Sequence, residues 1–254
     1  MGIHPNRRSL TLLVVIAASL VAPVLKTQAG GFASCTNDTV LFVAGVLTIN
    51  GEADCDDNDG IDVEPATGNI LYNGTSPTGT PTINNTSAIS YDGGTHINQD
   101  QFTIDLEGGY FAPGTGGPSE AGGIPEIEID VTAEYLAVTS TKGKDVWRGG
   151  TGGMNLNNDD DVDVTVTGVN TFFLDPEKGS DKIKMNGDAV TGGPTTATVL
   201  VEAGPGNDRI VGGDGDDDFF GSAGRDVLIG KGGHDRGRGG SGVDKCKTEE
   251  KVSC

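Results

Sequence analysis

"AGPGNDRIV GGDGDDDFF GSAGRDVLI GKGGHDRGR GGSGVDKCK" divides residues 203–247 into five consecutive nonapeptides. The fourth place is glycine every time: Gly206, Gly215, Gly224, Gly233 and Gly242. The sixth is aspartate every time: Asp208, Asp217, Asp226, Asp235 and Asp244. The second place adds Gly204 and Gly213, and the eighth holds Ile210, Phe219, Leu228, Gly237 and Cys246. The pattern is G-G-x-G-x-D-x-U-x with U a large apolar residue, so each repeat is one supersecondary unit that must stack on its neighbours. A disordered acidic linker has no need of such a register.

Glycines at fixed places let the backbone bend through positive φ and turn its carbonyls inward. An aspartate at a fixed offset adds a carboxylate. Such an all-oxygen donor set suits Ca²⁺, a hard cation taking roughly six to eight oxygen ligands. The eighth-place side chains form a narrow apolar seam.

The stretch resembles the haemolysin-type calcium-binding repeats, or RTX repeats, over 45 of the 254 residues. The resemblance implies a parallel β-roll in which each nonapeptide gives a turn and a short strand, and two nonapeptides complete one coil. Alternate turns then stack about 4.8 Å apart. It implies Ca²⁺ held between Asp208 and Asp226, Asp217 and Asp235, and Asp226 and Asp244. The turn glycines Gly204, Gly206, Gly213, Gly215, Gly224, Gly233 and Gly242 line those sites. Without the ion, stacked carboxylates repel one another. A bacterial origin is also implied. The chain departs from the family at its ends: many such proteins carry a C-terminal export signal, whereas "CKTEEKVSC" closes this one.

Counting back in nines extends the register. "KGSDKI" places Gly179, Asp181 and Ile183 at the fourth, sixth and eighth positions, and "KGKDVW" does the same with Gly143, Asp145 and Trp147. Asp145, Asp163 and Asp181 are evenly spaced and are expected on one edge of the coil as further candidate ligands. Met154, Phe172 and Val190 are expected on the opposite edge.

Upstream, "TVLFVAGVLTING", "DQFTIDLEGGYF" and "EIEIDVTAEYLAVTS" alternate apolar and polar residues between glycine turns, which reads as β. No useful helical period follows Ala29. The expected fold is all-β: a parallel β-roll or solenoid in the C-terminal half, with a β-rich N-terminal region that is either a diverged solenoid or a sandwich. The expected organisation is a leader at 1–29, an acidic β-rich region at 30–140, a degenerate solenoid at 141–202, the nonapeptide roll at 203–247 and a disulfide-closed tail at 248–254. Residues 112–125 read as a Gly/Pro loop.

The leader expectation rests on Arg7 and Arg8, the apolar run from Leu10 to Ala22 and small residues up to Ala29. That run is shorter than the roughly 20 residues a spanning helix needs, so no membrane span is expected after cleavage. Four cysteines behind a leader imply disulfides. Of the three pairings, Cys35–Cys55 and Cys246–Cys254 close the shortest loops.

The net charge of −20 argues against nucleic acid and for cations as ligands. Residues 30–141 hold 17 acidic side chains and no Lys or Arg. There, "DCDDNDG" is a near-miss for an EF-hand that leaves a looser carboxylate turn through Asp54, Asp56, Asp57 or Asp59. "NNDDDVD", residues 157–163, is a similar stretch that reads either as another carboxylate turn for Ca²⁺ or, by a small margin, as a solvated turn.

Enzyme signatures are few. H-E-x-x-H and G-x-S-x-G are absent, which removes the usual zinc protease and lipase. His96 has no second ligand nearby and His234 sits at a variable repeat position. Three readings follow. The first is a secreted, non-catalytic Ca²⁺-binding protein that folds on export. The second is an extracellular enzyme acting on polysaccharide from a β-solenoid. The third is a calcium-stiffened adhesin whose middle region binds a cell-surface or matrix glycan or protein.

Overall fold

The computed structural model describes residues 38–51, 58–93, 100–109, 111, 126–140 and 143–254. The expected leader, the Cys35–Cys55 pair, Asp54, Asp56, Asp57, His96 and the Gly/Pro loop lie outside them. The described residues form strands and turns, and no helix among them is long and apolar enough to cross a membrane.

Two antiparallel hairpins open the fold: β1 (Thr39–Val43) with β2 (Val46–Asn50), and β3 (Asn58–Val63) with β4 (Ile70–Tyr72). Next come β5 (Ala88–Asp92), β6 (Gln101–Asp105), β7 (Glu128–Thr132), β8 (Tyr135–Thr139) and β9 (Val146–Gly150). They are followed by β10 (Gly153–Asn155), β11 (Val164–Thr167), β12 (Thr171–Asp175), β13 (Lys182–Lys184) and β14 (Thr198–Glu202). The repeats supply β15 (Pro205–Gly206), β16 (Arg209–Val211), β17 (Asp218–Phe220), β18 (Ala223–Gly224) and β19 (Val227–Ile229). Last are β20 (Arg236–Arg238), β21 (Ser241–Gly242), β22 (Lys245–Lys247) and β23 (Glu250–Val252).

The chain winds between two sheets. One has the order β1-β2-β5-β7-β11-β10-β9-β13-β16-β19-β22, the other β23-β20-β17-β14-β12-β8-β6-β3-β4. A small third sheet, β15-β18-β21, runs along one edge of the repeats. Neighbours are parallel except around the hairpins at β1, β4 and β10. Both long sheets extend from the acidic N-terminal residues into the repeats, so the N-terminal region takes the solenoid alternative.

Alternation along each strand decides what is inside. Trp147, Ile183, Ile210, Leu228 and Cys246 are register partners in the first sheet and form one buried column. Ile61, Ile104, Val138, Leu174, Val201 and Phe219 form the facing column. Gly237 continues that second column without a side chain. A Cβ there would sit 3.3 Å from Cys246 Sγ, so the glycine makes room for the Cys246–Cys254 disulfide, whose Cα atoms are 5.8 Å apart.

The upstream register differs from the count in nines. Between β9 and β11 the chain doubles back through β10, which pairs antiparallel with both. β11 therefore lies nearer the N-terminal coils than β9 does, although it follows β9 in sequence. Asp163, just before β11, consequently falls outside the stack joining Asp145 to Asp181. Of Met154, Phe172 and Val190, only Phe172 falls on the opposite edge, as the register partner of Val199, whose N–H donates to Asp217. Met154 is interior in β10 and Phe172 is interior in β12. Val190 lies in the 186–193 segment, where Gly193 and Thr191 carbonyls accept from Thr151 and Gly152.

Candidate metal centre

The turns entering the first sheet bring one set of aspartates into line. Asp145 N–H donates to Asp181 Oδ1 at 2.8 Å, and Asp181 N–H to Asp208 Oδ1 at 2.8 Å. Asp208 N–H then donates to Asp226 Oδ1 at 2.9 Å, and Asp226 N–H to Asp244 Oδ1 at 2.9 Å. The turns entering the second sheet repeat the device. Val199 N–H donates to Asp217 Oδ1 at 2.8 Å, Asp217 N–H to Asp235 Oδ1 at 3.1 Å, and Asp235 N–H to Glu249 Oε2 at 3.0 Å. Each carboxylate thus spends one oxygen on the backbone of the coil before it.

The second oxygen is a different matter. Asp181, Asp208, Asp226 and Asp235 are at most 1% exposed, and the Oδ2 of each is buried without a hydrogen-bond partner. Asp217 Oδ2 is the exception, accepting from Gly213 N–H at 2.9 Å. A buried carboxylate oxygen left bare is costly unless a cation or donor reaches it. The ion pairs Arg148–Asp188, Lys184–Asp188, Arg236–Glu250 and Arg238–Asp218 include no ladder aspartate.

Burial is accordingly the main influence on these acids. It pushes Asp208 and Asp217 up to about 7 and Asp181 up to about 6, against opposing backbone N–H bonds. Neighbouring carboxylates add to the rise: Asp181 and Asp226 act on Asp208, and Asp235 acts on Asp217. Asp226 and Asp235 are raised for the same first reason.

Backbone carbonyls line the same turns. A Cβ at Gly206 would overlap the Gly179 carbonyl oxygen, one at Gly224 the Gly206 oxygen, and one at Gly242 the Gly224 oxygen. Only glycine lets the turns close this tightly, and Gly224 also holds φ at +145°. On the other edge, Gly213 and Gly233 face the Thr195 and Gly215 carbonyls in the same way. Carboxylate and carbonyl oxygens with no nitrogen or sulfur match a hard divalent cation. The residues therefore fit Ca²⁺, with its charge set against the buried Oδ2 atoms.

Several participants escape the nonapeptide reading. Glu249 takes the place of an aspartate in a shortened last coil. The fifth repeat position is not merely variable: Asn207 Oδ1 accepts from Arg225 N–H at 2.9 Å and Asp216 Oδ1 from His234 N–H at 2.7 Å. A side-chain amide or carboxylate at that place in the first two repeats is the signal for it. Asp59, from the near-miss EF-hand turn, instead accepts from Tyr91 Oη at 3.1 Å and Asn73 Nδ2 at 2.9 Å.

Asp163 belongs to another group. It lies with Glu126 and Asp159, one carboxylate oxygen of each within 4.8 Å of the others. Asn157 Nδ2 donates to Glu126 at 2.7 Å and to Asp159 at 2.9 Å, and Leu156 N–H donates to Asp163. Burial first, then the hydrogen bond with Glu126, pushes Asp163 up.

Residues 200–228 and 212–245 match the family model of the RTX calcium-binding nonapeptide repeat. Repeats of that family bind Ca²⁺. No curated protein and no solved structure matches the chain.

Proposed function

We propose that this chain is a secreted, non-catalytic Ca²⁺-binding β-roll protein, folding fully when it meets calcium outside the cell. One observation carries the reading: within the repeats Asp208, Asp226 and Asp235 each bury a carboxylate oxygen that has no hydrogen-bond partner, in turns that only glycine can close. The ligands on one edge are Asp208, Asp226 and Asp244 with the carbonyls of Gly204, Gly206, Gly224 and Gly242. On the other they are Asp217 and Asp235 with those of Gly213, Gly215 and Gly233, and Glu249 closes that edge. Asp163 is left out because it stands off both ladders.

The same reading assigns residues 1–29 to a removed leader, the 30–140 coils to contact with a glycan or protein, and 141–202 to the join with the 203–247 roll. Residues 248–254 form a disulfide-closed cap. Extracellular sites of this kind bind at roughly 0.1–1 mM, so the ion is scarce before export and abundant after it. Ligand at 100 times its Kd contributes about 2.7 kcal/mol per site.

Calorimetric titration of the leaderless protein with Ca²⁺, paired with circular dichroism, tests the proposal. Saturable uptake with a gain of β signal is expected. No uptake at 10 mM, a concentration roughly ten times the weakest expected Kd, would end it.

A further inference from the structure

We infer that the metal ladder continues past the family-matching repeats, with an additional cation site between the turns ending at Asp145 and Asp181 and another between Asp181 and Asp208. The inference rests on the calcium reading above. The family match begins at residue 200, so Asp145 and Asp181 lie outside it. The coils there are also of the wrong length for nonapeptides, since β10, β11 and the 186–193 segment are inserted.

From Gly143 and from Gly179 onward, the chain nevertheless reproduces the repeat geometry. The Asp145–Asp181–Asp208 hydrogen bonds are 2.8 Å each, against 2.9 Å for those joining Asp208, Asp226 and Asp244. A Cβ at Gly179 would overlap the Gly143 carbonyl oxygen, just as Gly206 meets Gly179 and Gly224 meets Gly206. Asp181 is 0% exposed and its Oδ2 has no partner. The strands that follow stay in register, Lys182 N–H bonding the Asp145 carbonyl and Arg209 N–H that of Asp181. A hard, oxygen-seeking divalent cation suits this rung as it suits the next.

Trp147 makes the upstream rung separately visible. It is the chain's one tryptophan, buried two residues after Asp145. At 4.8 Å per strand the Asp208–Asp226 rung begins two strands away, about 10 Å, and the Asp226–Asp244 rung three, about 14 Å, so the upstream rung dominates the signal. Terbium, which replaces Ca²⁺ at oxygen sites, emits when a neighbouring tryptophan is excited. The full chain, freed of calcium and titrated with Tb³⁺, should show tryptophan-excited emission that added Ca²⁺ removes. Asp181→Asn keeps an oxygen for the Asp145 N–H but loses the charge, and should remove most of the emission with the circular dichroism spectrum unchanged. Asp244→Asn should leave the emission in place.

Emission undiminished by Asp181→Asn overturns the inference, above all if Asp163→Asn then removes it. So does absent emission in a protein that still takes up Ca²⁺ by equilibrium dialysis, which leaves the repeat reading standing. Absence of both emission and calcium uptake overturns the two readings together.

Discussion

Asp226→Asn separates the two jobs of a ladder aspartate. Asp226 accepts from Asp208 N–H and its own N–H donates to Asp244, so it belongs to two rungs. The amide keeps an oxygen for Asp208, so the backbone bond survives. What goes is a buried charge whose pKa is raised by desolvation, with Asp244 adding to the rise. In EDTA at pH 8 that charge opposes folding, and the variant should melt no lower than the unmodified protein. In saturating Ca²⁺ the variant forfeits one or two bound ions. At 100 times Kd this amounts to about 2.7–5.4 kcal/mol. For a chain of this size, about 2–4 °C per kcal/mol gives a Tm lower by about 5–20 °C. Differential scanning calorimetry in the two buffers reads the contrast directly. Asp226→Ala is the companion: it strands the buried Asp208 N–H and should lose about 1–3 kcal/mol even in EDTA. If Asp226→Asn melts lower by the same amount in both buffers, the carboxylate acts only as a hydrogen-bond acceptor and the metal argument fails.

Acidity should act in opposite directions on the two forms. Asp208 and Asp217 rise from 3.8 to about 7 when folded without metal. Their contribution to metal-free stability is therefore fully present below pH 3.8 and is lost as pH rises through about 7, while Ca²⁺ affinity should fall over the same window as pH drops. Melting and calorimetric titration at pH 5, 6, 7 and 8 check both slopes, and parallel slopes would contradict the assignment. Lys231 holds φ at +107°, so Lys231→Gly should raise stability by about 1 kcal/mol, read by denaturant midpoint. Leu228→Ala, between Ile210 and Cys246 in the first buried column, should lose about 2–5 kcal/mol with or without calcium. Reducing Cys246–Cys254 should cost about 2 kcal/mol and be felt first as faster amide exchange in β22 and β23.

The repeats were legible because one spacing fixes everything at once. Glycine closes the turn, aspartate caps the previous coil, and the residue two places on enters the seam. That five-residue unit is also readable at Gly143-Asp145-Trp147 and Gly179-Asp181-Ile183, where both flanking strands take the expected register. What could not be read was the length of chain between units. Insertion of β10 reverses the path, so the equal spacing of Asp145, Asp163 and Asp181 is coincidence and only two of the three stack. The shortened last coil hid Glu249 for the same reason. Local turn chemistry is written into the residues, whereas the distance along the chain to the next turn is free to vary at the surface.

The ladders run one way. Each coil hands its amide proton forward and its carboxylate backward, so a coil is satisfied only by its successor. Trimming the molecule from the front leaves spare acceptor oxygens, which water can serve. Trimming from the back, by removing residues 239–254, orphans the N–H groups of Asp226 and Asp235, which are interior in the intact protein. The final turn, with Glu249 and its disulfide, is thus the keystone of the coil.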